Sequence, residues 1–193
     1  MSVPPTAQRI AASARRILVK EGADAVTMRR IAQATGITAM AIYRHFPSRD
    51  AVLNAIADEG FDALSLELAA TRYTGNSYQR LMQLFRVHFD FSLANPRLFE
   101  LMFLKPRKGA RRYPRDFKAG ASPTANFTVD LLRKGMDSGL FREGDPWEIT
   151  FEMGALLQGL VMLHLGGRTN LSRAQFRALC LRAFQRYFHG ICK

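Results

Sequence analysis

Between Thr27 and Arg49 the chain concentrates Thr27, Arg29, Thr38, Tyr43, Arg44, His45 and Arg49, a run of hydroxyl, phenol, imidazole and guanidinium groups. Such groups suit non-covalent capture of phosphate oxygens and base edges, because they donate hydrogen bonds and several carry positive charge. Covalent chemistry has no comparable set. An enzyme needs a nucleophile, a base and a stabilising donor that converge, whereas the four histidines are scattered and the sequence has no P-loop, no dinucleotide glycine fingerprint and no HExxH. Neither His88 nor His164 has companions at metal-ligand spacing. The expectation is no enzyme, no metal and no cofactor.

The elements that must position these groups are two short helices on either side of Gly36, in the stretch TMRRIAQATGITAMAIYRHF from Thr27 to Phe46. Ile31, Ala32, Ile37 and Ile42 supply the apolar contacts that let the helices cross, and Thr27 and Thr38 stand where N-caps belong. This is helix-turn-helix grammar. With Ile37 and Ile42 inward, the second helix presents Thr38, Ala39, Met40, Tyr43 and Arg44 outward. Its N-terminal N–H groups favour a phosphate, and Arg29, Arg30, Arg44 and Arg49 add cations that release counterions on binding. Ala39, Met40 and Ala41 offer no side-chain hydrogen bond, so base reading falls to Arg29 against a guanine, to Arg44 and to apolar contact with thymine methyls. The competing reading has Tyr43 and His45 pack the small domain and leaves the basic face merely solvated. Capping by Thr27 and Thr38 is common to both.

Along the rest of the chain, apolar residues recur at three- and four-residue spacing without a sustained period of two, which predicts an all-α fold. Helices are expected at about 6–21, 28–35, 39–45, 49–70, 77–93, 96–104, 123–138, 146–166 and 173–190. Asn95-Pro96, Ser122-Pro123 and Asp145-Pro146 mark three starts, and Ser48, Ser77 and Ser172 look like caps without the proline. The net charge of +12 sits mainly in two blocks, +5 over residues 1–50 and +6 over residues 105–118. Lys105, Arg107, Lys108, Arg111, Arg112, Arg115 and Lys118 fall in a stretch whose glycines and prolines break the periodicity, so 105–121 reads as a long mobile loop. A solvated loop and an attractor for an anionic ligand or DNA are the two readings of its charge. Cys180 and Cys192 suit a reduced cytoplasm, and the longest apolar run, Met153 to Leu165, is too short to span a bilayer. No signal peptide is read in the first residues.

The stretch TMRRIAQATGITAMAIYRHFPSRDAVLNAI, within Ile10 to about Ile56, resembles the DNA-binding domain of the tetracycline-repressor (TetR) family. The Thr27 start, the Ile31-Ala32 pair, the Gly36-Ile37 turn and Tyr43-Arg44-His45-Phe46 followed by Arg49 carry the likeness. The resemblance implies that Arg29, Ala39, Met40 and Tyr43 meet base edges or groove walls, and that Thr27, Thr38, Tyr43, His45 and Arg49 grip phosphates. It also implies a three-helix DNA-binding domain over 1–50, joined by a long fourth helix to a ligand-binding and dimerisation domain over 51–193. The partners would be a double-stranded, palindromic DNA operator, a small-molecule effector and a second copy of the chain, with no membrane.

Leu81, Leu84, Phe85, His88 and Phe89 form one stripe, and Leu98, Phe99, Leu101, Met102 and Phe103 follow in the sixth helix. By resemblance this region lines a cavity for a largely apolar ligand, with Phe85, His88, Phe89, Met102, Phe103, Phe127, Leu131, Met153 and Leu157 as candidate contacts. Taken singly, each of these aromatic and Met residues reads better as ordinary core. The last two helices carry more apolar surface than one face needs, and the family pairs these helices with their copies. Leu156, Leu160, Leu163, Phe176, Leu179, Ala183, Phe184 and Tyr187 are the candidates for that interface. Gly154, Ala155 and Gly159 would permit close backbone approach there. A non-specific nucleic-acid binder and a membrane-surface protein are the rival classes. The first would bind random duplex equally well, and the second is disfavoured because the basic residues do not share one amphipathic face.

Overall fold

The computed structural model describes residues Pro5 to Cys192, and these form helices connected by turns, with no strand among them. In chain order the helices are α1 (Thr6–Glu21), α2 (Met28–Thr35), α3 (Ala39–Tyr43), α4 (Arg49–Ala70), α5 (Ser77–Ala94), α6 (Pro96–Phe99), α7 (Arg115–Lys118), α8 (Pro123–Asp137), α9 (Pro146–Leu165) and α10 (Arg173–Ile191). The all-α expectation holds. The chain folds as two compact units, one holding residues up to Asp62 together with Asn95–Ala110, the other Ala63–Ala94 with Arg111 onward. The first extends past the expected boundary at residue 50 and takes in the sixth helix.

In the first unit α1 packs on α2, and α2 on α3. Ile10, Ala14, Leu18, Ile31, Ile42, Val52 and Ile56 are fully buried, the larger ones each stabilising by about 1.5–3 kcal/mol relative to exposure. Both threonine caps form: Thr27 Oγ1 accepts from the Arg30 N–H at 3.3 Å and Thr38 Oγ1 from the Ala41 N–H at 3.2 Å. Gly36 stops α2 with φ +70°, its N–H donating to Ala32 O at 3.0 Å, a backbone state that other residues adopt at a cost.

The expected helix over 96–104 is four α residues followed by a π turn, Glu100–Leu104. It lies close to α4, where Gly60 makes room: a Cβ there would stand 2.6 Å from Met102 Sδ and 3.1 Å from Leu98 Cδ1. Phe103 meets Phe61 edge-on, with centroids 5.3 Å apart. The start of the basic stretch is tied down here. Arg107 donates to Asn54 Oδ1 at 2.8 Å and to Leu101 O at 3.1 Å, Asn54 donates to Lys108 O at 2.6 Å, and Lys105 Nζ lies 3.3 Å from Asp24 Oδ2.

In the second unit α5 packs against α8, α9 and α10. Asn76, rather than Ser77, caps α5: its Oδ1 accepts from the Gln79 N–H at 3.0 Å while the Gln79 amide oxygen accepts from the Asn76 N–H at 3.0 Å. The short carboxamide one residue upstream satisfies the orphan donor, leaving the serine inside the first turn. Ser172 with Gln175 forms the same reciprocal box at α10, and Ser48 and Asp145 also act as caps. On α10 the four-residue series Phe176, Cys180, Phe184 and Phe188 is fully buried within the protomer. Phe176 and Phe184, expected at an intermolecular face, are thus packed inside the protomer. Phe184 stacks on Phe85 with centroids 4.0 Å apart, and Phe176 stacks on His164, also at 4.0 Å. The stretch after Ala110 is not a featureless loop, because Tyr113 just before α7 and Phe117 within it both pack against the ring of Phe151.

Candidate nucleic-acid interface

The first unit keeps its chemistry on the outside of α2 and α3. Ile42 is buried and anchors α3, which leaves Met40 69% exposed and Tyr43 48% exposed. Arg29, Thr38, Ala39, Arg44 and His45 are exposed as well. These side chains therefore lie on one short helix, its two flanks and the outer side of α2. Thr27 and Thr38 each accept one capping hydrogen bond, which leaves each O–H able to donate.

Arg49 is placed differently from the rest. Its guanidinium donates to Val26 O and Ala23 O, both at 2.7 Å, and lies 3.9 Å from Asp24 Oδ1. It ties the start of α4 to the turn that precedes α2, a positioning role alongside the phosphate contact expected of it. Arg30 is likewise engaged, 2.5 Å from Glu21 Oε1, and that pairing holds the Glu21 carboxyl below its ordinary range. A further basic surface, not apparent from the helix-turn-helix motif, lies on the outer side of α1. There Arg9, Arg15, Arg16 and Lys20 line an open groove of about 670 Å³ together with Glu59, and Arg9 donates to Thr35 O at 3.2 Å at the end of α2. Arg9, Arg16 and Lys20, spaced seven and then four residues apart, share one helical face, a signal legible in the sequence.

The nine candidate ligand contacts divide between the two units. Met102 and Phe103 belong to the first, on the π turn; Phe85, His88, Phe89, Phe127, Leu131, Met153 and Leu157 belong to the second. Within the second, the structure brings Phe85 and Phe89 together around Phe184, at 4.0 and 5.8 Å between centroids. Phe127 and Leu131 are half-buried on α8, and Met153 and Leu157 are buried on α9. Of the interface candidates, Leu163 is exposed and Leu156, Leu160, Leu179, Ala183 and Tyr187 are half-buried. Phe151, which residue spacing did not single out, is 45% exposed, and Met162 is 49% exposed.

His88 Nδ1 stands 3.3 Å from Leu84 O, and its ring lies 6.3 Å from that of Phe85. Burial among these groups disfavours the imidazolium and pushes the pKa down to about 4. Because the folded pKa lies below the unfolded one, the stability from neutral His88 is complete above about pH 6.5 and is lost as pH falls toward 4. The loss should approach 1.4 kcal/mol per unit, roughly 2–3 kcal/mol in all. Urea unfolding of the wild type and of His88→Gln from pH 7.5 to 4.5 checks this. The variant should show a shallower decline, and parallel profiles would refute it.

Solved structures similar to this chain share its fold. A protein of unknown function from Rhodococcus sp. RHA1 is 24% identical, with a TM-score of 0.77 over 99% of this chain and 97% of its own. The fatty acid degradation regulator FadR from Bacillus halodurans is 17% identical, with a TM-score of 0.71 over 94% and 95%. A structure described as a transcriptional regulator from Saccharomonospora viridis in complex with choline is 23% identical, with a TM-score of 0.65 over 97% of both chains. No curated protein matches the sequence. The family model of bacterial regulatory proteins of the tetR family matches residues 10–56, and that of the tetracyclin repressor-like C-terminal domain matches residues 81–186. With both parts matched and the helix-turn-helix in place, the chain belongs to the TetR family of bacterial regulatory proteins, DNA-binding regulators of transcription rather than enzymes.

Proposed function

We propose that this chain is a ligand-responsive repressor that binds a palindromic operator as a homodimer and leaves it when a small, largely apolar effector enters the C-terminal portion. The observation that carries the reading is the outer surface of α2 and α3. Arg29, Met40, Tyr43, Arg44 and His45 project from a helix-turn-helix whose Met28, Ile31 and Ile42 are buried. Residues 1–50 would make the DNA contacts and 51–193 would hold the effector and the dimer face. Exposed Phe151, Met162 and Leu163 on α9 support pairing of two copies, as does Gly159, where an added Cβ would meet nothing within 4 Å in the protomer. The Saccharomonospora viridis relative binds choline; a small organic effector of this chain would sit among Phe85, His88, Phe127 and their neighbours.

Selection of genomic fragments by the purified protein, followed by titration of the best fragment against random duplex near physiological salt, tests the DNA reading. A palindromic site bound at least ~10³-fold more tightly is the expected result. Uniform weak binding that falls steeply with salt would replace it with a non-specific binder.

A further inference from the structure

α9 turns two apolar stripes in different directions. Thr150, Met153, Leu157 and Val161 are buried in the protomer, whereas Phe151, Ala155, Met162 and Leu163 are exposed. The segment after Ala110 lands on the N-terminal end of the outer stripe. The Tyr113 ring stacks on Phe151 with centroids 4.4 Å apart and planes 20° apart, and Phe117 meets Phe151 edge-on at 6.0 Å. Polar contacts hold it there: Lys118 Nζ donates to Asp145 Oδ2 at 2.7 Å, and Asp116 Oδ2 accepts from the Arg112 N–H at 2.7 Å. A local core of three rings would bury Phe151. Instead Phe151 remains 45% exposed, so the rings lengthen the outer stripe rather than close it.

The charges around this stripe commit it to one occupant. Glu148 and Glu152 are exposed on α9 beside Phe151, Glu152 accepting a hydrogen bond from the Tyr187 hydroxyl of α10, and Arg182 and Arg186 are exposed on α10; on α7 the outward Arg115 is paired with Asp116. A face with both signs around an apolar centre suits neither a polyanion nor a uniformly acidic surface. Two-fold pairing, in which residue i of one copy meets j of the other and j meets i, satisfies both signs at once. We infer that residues 111–118 are part of the face on which a second copy of this chain docks, with Tyr113 and Phe117 carrying the α9 stripe to the partner. The inference rests on the homodimer reading above and adds an element outside the last two helices.

Hydroxyl-radical footprinting of the full chain across its association range, followed by sedimentation, tests this, with Met162→Arg as the monomeric reference. Tyr113 and Phe117 should be oxidised several-fold more slowly in the associated form, together with Phe151 and Met162, while exposed Leu66 is unchanged. The Tyr113→Ser/Phe117→Ser double variant should raise the dimer dissociation constant on the order of tenfold or more while remaining helical by circular dichroism. Protection of Phe151 and Met162 without Tyr113 and Phe117 would overturn the inference and leave the homodimer standing. A wild-type chain that stays monomeric at every concentration would overturn both.

Discussion

Tyr43→Ala is expected to bring affinity for the selected operator down to the level of random duplex while leaving the melting temperature almost unchanged. The two halves of this result have separate physical causes. Tyr43 ends α3 and is about half exposed, and α3 is held by its neighbour Ile42, which is fully buried. Surface substitutions away from packing sites usually change stability by no more than about 0.5 kcal/mol. On the DNA side, the phenol is the largest group on this short helix and combines a ring for the groove wall with an O–H for a phosphate. Few neighbours can take over, since Ala39 and Ala41 are small and Met40 has no donor. Tyr43→Phe separates the parts: it keeps the ring and should lose about tenfold, the value of one hydrogen bond to a charged oxygen. Fluorescence anisotropy with operator and random duplexes gives both affinities. Wild-type operator affinity in the alanine variant would refute the assignment of α3 as the reading helix.

Phe184→Ala should destabilise the protomer itself by about 4 kcal/mol, within the range for removing a buried aromatic ring. For a chain of this size that is a fall in melting temperature of roughly 8–16 °C. Phe184 is fully buried, stacks on Phe85 and meets Phe89 edge-on. Truncation would therefore strip contacts from both α5 rings and leave a cavity between α5 and α10. An interface residue would behave otherwise, weakening association while sparing the isolated chain. Trp147, the single tryptophan, stands at the start of α9 in the same unit and reports its unfolding by fluorescence. A midpoint in urea that matches wild type, with a raised dimer dissociation constant, would return Phe184 to the intermolecular face.

Aromatic residues on a helical stripe do not by themselves distinguish a core from a ligand site. Over 81–103 the Phe and Met residues fall where the family resemblance expects a ligand region. In the structure Phe85 and Phe89 are engaged with Phe184, while Met102 and Phe103 serve the first unit, against Gly60 and Phe61. A ring buried for packing and a ring buried around a ligand have the same sequence signature, because both follow from apolar spacing on one helical stripe.

Local features were legible from residue order alone: the all-helical class, the caps at Thr27, Thr38 and Ser172, the turn at Gly36 and the outward set on α3. Each depends on hydrogen bonds and backbone states within a few residues, so neighbours in sequence suffice to determine it. Other features depended on which element lies opposite. The two apolar stripes of α9 are similar in composition, and only the packing of α5, α8 and α10 decided that Met153 and Leu157 go inward and Phe151 and Met162 outward. Arg49 carries the same charge as Arg44, yet the carbonyls of Ala23 and Val26 claim it. The basic stretch reads as a loop by its glycines and prolines, and the ring of Phe151, more than thirty residues away, gives it a seat. Periodicity specifies that a helix has a face, whereas the partner of that face is a long-range contact that residue spacing does not encode.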